Sequence, residues 1–118
     1  MNAELKRVHS PDIQNLERYI PENPENFGFL LQAMIGPEGQ DGEESFDIEV
    51  CTPKWLEEKY SLEDVIIGRH HLIIREYNYA RLVGVIRKYL QQCSGEDWTQ
   101  VGEKVSRLGL WEFEDYIE

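Results

Sequence analysis

The chain predicts an α+β fold: a single domain over residues 1–118, with an antiparallel sheet carrying two or three helices on one face. Three observations lead there. Strand-like segments cluster ahead of the two longest helical patterns. Residues 45–52 alternate cleanly, with Phe46, Ile48 and Val50 on one side and Asp47 and Glu49 on the other, the two-residue period of a half-buried strand. Of the 118 residues 41% are hydrophobic and 30% charged, a globular composition in a chain long enough for one substantial core.

Each element has its own signal. Residues 1–8 read as a charged edge strand. Residues 21–26 contain Pro21 and Pro24, which exclude helix and central strand alike. Residues 27–35 are a mostly apolar strand. The stretch 36–44 holds three glycines and a proline and reads as a long hairpin connection into the strand at 45–52. Thr52 then caps a short helix with Pro53 at its first position, continuing through 54–60. The β-branched residues of 65–67 and 70–74 suggest a strand pair, or one strand bent at Gly68.

The second half is helical. Asn78 caps a helix running to about residue 92, with Leu82, Val83, Ile86, Tyr89, Leu90 and Cys93 on one face and Gly95 as its stop. Glu96 or Asp97 opens the next, with Trp98, Val101, Val105 and Leu108 at helical spacing and Gly109 at its end. Residues 110–118 alternate again and read as a last strand or an extended arm. The expected core includes Phe46, Ile48, Val50, Leu82, Ile86 and Trp98.

No apolar run approaches the ~20 residues of a membrane span, and residues 1–10 lack the apolar stretch of a signal peptide. The expected location is the cytoplasm. There Cys51 and Cys93, in no CxxC pattern, are expected as free thiols in or near the core, without a disulfide.

The residues that carry chemistry are sparse. Neighbouring residues of a strand point to opposite faces, so His70 and His71 do not share a metal easily; one ring is expected buried and hydrogen-bonded, the other solvated. A cysteine nucleophile paired with either histidine is disfavoured, because acidic surroundings raise a thiol's pKa. A calcium loop starting at Asp41 fails on spacing, since Phe46 and Thr52 stand where glycine and glutamate are needed. No phosphate-binding glycine loop and no serine nucleophile elbow occurs. No catalytic residue, metal site or cofactor is therefore expected.

Charge is the informative feature. The chain carries 12 Lys+Arg against 23 Asp+Glu, a net charge of -11, which argues against a general binder of nucleic acid or anionic membrane. Between residues 19 and 53 there is no Lys or Arg, yet Glu22, Glu25, Glu38, Asp41, Glu43, Glu44, Asp47 and Glu49 all lie there. After Arg107 come Glu112, Glu114, Asp115 and Glu118 with no base. Such segments either keep a protein soluble or steer a cationic partner. Trp111, Phe113 and Tyr116 interleave with the C-terminal acids, as aromatic anchors do in interfaces. The candidate partner-binding residues are Asp41, Glu43, Glu44, Glu112, Glu114 and Asp115.

Three stretches have a family likeness: Glu43-Glu44-Ser45-Phe46-Asp47-Ile48-Glu49-Val50-Cys51-Thr52-Pro53-Lys54-Trp55-Leu56, Gly68-Arg69-His70-His71-Leu72-Ile73 and Trp111-Glu112-Phe113-Glu114-Asp115-Tyr116. In this order they resemble the immunity protein 8 family, small proteins encoded beside bacterial polymorphic toxins. The resemblance implies a cytoplasmic antitoxin that binds and blocks one cognate toxin domain and is no enzyme; it carries no site onto particular residues. Unpaired acidic surface complements a basic toxin such as a nuclease, which must meet phosphate with positive charge. The alternatives in other classes are a small enzyme using His70 or His71 with Glu76, and an acidic adaptor subunit.

Overall fold

The computed structural model describes residues 1–114. Among them the order is β1 (Ala3–His9), β2 (Gly28–Pro37), β3 (Glu44–Cys51), α1 (Pro53–Lys59), β4 (His71–Ile73), α2 (Tyr79–Leu90), α3 (Trp98–Val105) and β5 (Leu110–Trp111). The strands form one sheet in the order β1-β2-β3-β4, with β5 also paired to β3. The fold is α+β.

The sheet is mixed, not wholly antiparallel. β4 runs parallel to β3, with Glu49, Val50 and Cys51 beside His71, Leu72 and Ile73. The reason is the connection: the chain leaves β3, crosses through α1 and a loop, and re-enters in the same direction, whereas a hairpin would reverse it. β4 and β5 share one margin of β3, because β5 pairs antiparallel with Phe46 and Asp47.

The β2–β3 hairpin is the frame. Its ladder runs from Gly28 opposite Cys51 to Ile35 opposite Glu44. Alternation sends Phe29, Leu31, Ala33 and Ile35 to the same buried face as Phe46, Ile48 and Val50. Leu30, Gln32, Met34, Asp47 and Glu49 line the half-buried opposite face. The turn depends on Gly39 and Gly42, both with positive φ (74° and 107°), where a side chain would be strained. Glu4 braces it: its carboxylate accepts from the Gly39 amide at 3.1 Å and from Lys6 at 3.1 Å. Chiefly that amide, with Lys6 adding to it, holds Glu4 below the usual carboxylate range.

The helix caps are those of the sequence. Thr52, Asn78 and Asp97 accept from the backbone amides of Trp55, Arg81 and Gln100. Leu82, Val83, Ile86 and Leu90 of α2 join Val101 and Val105 of α3 in the core over the sheet. α1 buries no residue and lies on the other face. Its Trp55 covers Gly28, where a Cβ would come within 2.4 Å of the ring. Two helices thus share the core face and the third does not.

Other expectations are corrected. Residues 65–67 form no strand; they lie in the loop between α1 and β4, because the parallel crossover uses that length to travel. His70 lies outside β4, with φ of 65°. Trp98 is only partly buried, packed against the core, because as the first residue of α3 it also faces the groove beside Glu44. The last strand is two residues long, and a turn closes it with the Glu114 amide donating to the Trp111 carbonyl at 3.0 Å. The rest of the expected arm, 115–118, lies outside the described residues.

Candidate partner-binding surface

Folding brings the two acidic stretches of the sequence together. The hairpin turn carries Asp41 and Glu43 to the mouth of β3, which starts at Glu44. β5 arrives on the same margin, with Trp111 opposite Phe46. The Trp111 ring packs in parallel on Phe46 at 5.8 Å and covers Gly102 of α3. Its indole N–H donates to Glu44 Oε2 at 2.6 Å. One strand step on, the Ser45 amide donates to Glu112 Oε1 at 2.8 Å, and the Glu112 amide donates to the Ser45 carbonyl at 3.2 Å.

Two open grooves meet here. The larger, of about 660 Å³, is lined by Glu44, Trp98, Thr99, Glu103, Ser106, Trp111, Phe113 and Glu114. The smaller, of about 350 Å³, runs along the hairpin past Asp41, Glu43 and Glu44. Glu44 and Trp98 belong to both. Indoles and carboxylates on one concave face suit a cationic, partly apolar partner.

The acids differ in how free they are. Asp41 is exposed and makes no ion pair or hydrogen bond among the described residues. Glu43 pairs with Arg7 at 2.7 Å, and Glu114 pairs with Arg69. Both pairs are partly solvated and contribute little to stability. Glu44 and Glu112 are engaged by Trp111 and by the Ser45 amide. Asp115 lies outside the described residues. The sequence reading missed Trp98, Thr99 and Glu103 as groove residues. Thr99 and Glu103 stand four apart on α3, one helical face, and that spacing is the signal in the sequence that groups them.

The histidines sit elsewhere, in a shallow cleft on the outer face of the sheet with Asp47, Glu49, Lys59 and Tyr60. Both rings are half-buried rather than one buried and one solvated, since each finds a hydrogen-bond partner at the cleft's wall. His70 Nε2 meets the Ser106 carbonyl at 2.7 Å, and His71 Nε2 meets the Tyr60 hydroxyl at 3.1 Å. Lys59 donates to Glu49 at 2.6 Å, a bond that raises the lysine's pKa. Glu76 lines a different groove, beside Arg75 and Arg81. The cleft is therefore a set of satisfied pairs, and Glu76 is not among them.

Cys51 and Cys93 are buried free thiols. Burial, with Glu49 adding to it, pushes Cys51 up to about 11; burial also raises Cys93. Among the described residues no group of three or more His, Cys, Asp or Glu could hold a metal ion. No helix among them is long and apolar enough to cross a membrane.

An acidic α+β domain with indole-lined grooves falls, by comparison with known families, among the immunity proteins. The chain belongs to the Immunity protein 8 family, whose model matches residues 3–116, nearly its whole length. No curated protein and no solved structure gave a match.

Proposed function

We propose that this protein is the antitoxin of a polymorphic, contact-delivered toxin system, acting in the cytoplasm by stoichiometric binding to one cognate toxin domain, with no catalysis of its own. Family membership supports a toxin as the partner. The observation that carries the rest is the meeting of Asp41, Glu43, Glu44 and Glu114 along the grooves around Trp98 and Trp111, with Glu112 bonded to Ser45 beside them. Asp115 continues that run in the sequence. In a chain of net charge -11, such a face fits a basic toxin, and a nuclease is the toxin class that must carry positive charge at its working surface. Complementary charge speeds encounter, which favours an inhibitor that must capture its target before damage spreads.

The test uses the toxin domain encoded beside this gene. Titrating it with the purified protein should abolish its activity at one equivalent, and the association rate should fall steeply as salt rises. A toxin that keeps full activity in excess protein would refute the reading. Cleavage of DNA or RNA by the free toxin tests the nuclease assignment separately.

A further inference from the structure

The loop between α1 and β4 is unlike the rest of the surface. Leu62 is 99% exposed, Val65 79% and Ile67 81%. Single exposed aliphatics are ordinary, but three at this exposure within six residues form a patch that signals contact. Resting on the toxin-binding reading above, we propose that Leu62, Val65 and Ile67 are the apolar anchor of the complex, entering an apolar cleft of the toxin whose rim is basic.

Three features select that occupant. First, the loop is held at its base: the Glu63 amide donates to the Tyr60 carbonyl at 2.9 Å, the His71 amide to the Gly68 carbonyl at 3.2 Å, and His70 and His71 bond Ser106 and Tyr60. A fixed base lowers the entropy lost on docking, and the β-branched side chains of Val65 and Ile67 are stiff. Second, Glu63 and Asp64 stand between the aliphatics, so the rim of a matching cleft carries positive charge. Third, the Arg69–Glu114 ion pair joins the loop to a residue that lines the larger groove. The end of the loop is thereby tied to the edge of the acidic face. In such an interface the outlying carboxylates set the rate of encounter, while the desolvated centre sets the rate of escape.

The experiment measures both rates against the toxin domain encoded beside the gene, immobilised, at two salt concentrations. Leu62→Ser alone and combined with Val65→Ser and Ile67→Ser are compared with the unaltered protein. All three positions are exposed, so the thermal midpoint should not move. The triple variant should dissociate at least about 30-fold faster, with its association rate and salt slope within about threefold of the original. An unchanged dissociation rate in the folded triple variant overturns the anchor while leaving toxin binding intact. Failure of the unaltered protein to bind refutes the toxin-binding reading and the anchor with it. If the unaltered protein sediments as a dimer and the triple variant as a monomer, the patch covers a second copy of the chain and the inference is wrong.

Discussion

The indole N–H of Trp111 and the carboxylate of Glu44 lie 2.6 Å apart, joining residues 67 positions distant in the chain. Glu44 is therefore a fastener as well as a charge. Glu44→Ala should cost about 1–2 kcal/mol, because it leaves the indole donor without its charged acceptor. Glu44→Gln keeps an acceptor oxygen and should cost less than about 1 kcal/mol. Urea denaturation of both variants separates the roles. If Gln also binds toxin normally, Glu44 serves by positioning Trp111.

Gly102 gives a prediction whose sign opposes helix propensity. Alanine in place of glycine inside a helix is ordinarily favourable by about 1 kcal/mol. Here the new Cβ would stand 2.6 Å from the Trp111 ring, less than any real contact. Gly102→Ala should lower the thermal midpoint and shift the Trp111 fluorescence. A rise in midpoint would mean that the ring yields freely and that β5 is loosely held.

Phe46 and Trp98 should separate where the sequence made them equal. Phe46 is fully buried, and Phe46→Ala should cost about 3–5 kcal/mol. Trp98 lines both grooves and loses only part of its area on folding. Trp98→Ala should cost roughly half as much and weaken toxin binding more than it weakens the fold. Equal denaturation midpoints for the two variants would contradict this.

Alkali should destabilise the fold earlier than usual. Burial, then Glu49, pushes Cys51 up to about 11, and burial, followed by the neighbouring tyrosines, pushes Tyr77 up to about 12. A raised folded pKa means that the unfolded chain releases its proton first, so stability is complete below the unfolded value and declines above it. For Cys51 the decline runs from about pH 8.5 to about 11. Cys51→Ala should flatten the pH dependence of the denaturation midpoint in that window. The native thiol should also resist alkylation at neutral pH; rapid labelling without denaturant would count against its burial.

The acidic residues should divide into two kinds. Asp41→Lys with Glu43→Lys should slow association and flatten its salt dependence, with dissociation little changed, because both lie outermost. Ala at Glu112 or at Glu114, the latter a residue that lines the groove, should raise the dissociation rate if this face is desolvated beside the apolar loop, each desolvated charge pair being worth about 2–5 kcal/mol. Glu112→Ala also frees the Ser45 amide, so its folding is measured first. Unchanged rates and salt slope in all these folded variants would move the binding site away from the acidic face.

What the sequence made legible was local. Thr52, Asn78 and Asp97 mark helix starts through their own side chains, and the alternation of Phe46, Ile48 and Val50 fixes a face. What escaped depends on partners distant in the chain. Alternation carries no direction, so it does not distinguish a parallel β4 from an antiparallel one. Val65 and Ile67 have strand propensity, but no neighbouring strand is offered to them. Trp98 has helical spacing and still stays partly exposed, because it opens α3 beside a groove that the hairpin and β5 complete. The missing Lys and Arg mark the acids in the sequence; their convergence is not marked there, because it follows from β5 pairing with β3. Arg7 and Arg69, which neutralise Glu43 and Glu114, come from segments outside the acidic runs.

The pairing of β5 with β3 also times the protein's birth. A ribosome adds about 5–20 residues each second, so the 67 positions that separate Trp111 from Glu44 take roughly 3–13 s to make. Throughout that interval the hairpin can fold, but the indole that completes the groove has not been synthesised. A nascent chain, or one truncated before residue 110, has no Trp111 to seat on Phe46 and no Glu112 to hold the Ser45 amide. The completed groove would then exist only after β5 has been made, and products ending before it would lack the face proposed to bind toxin.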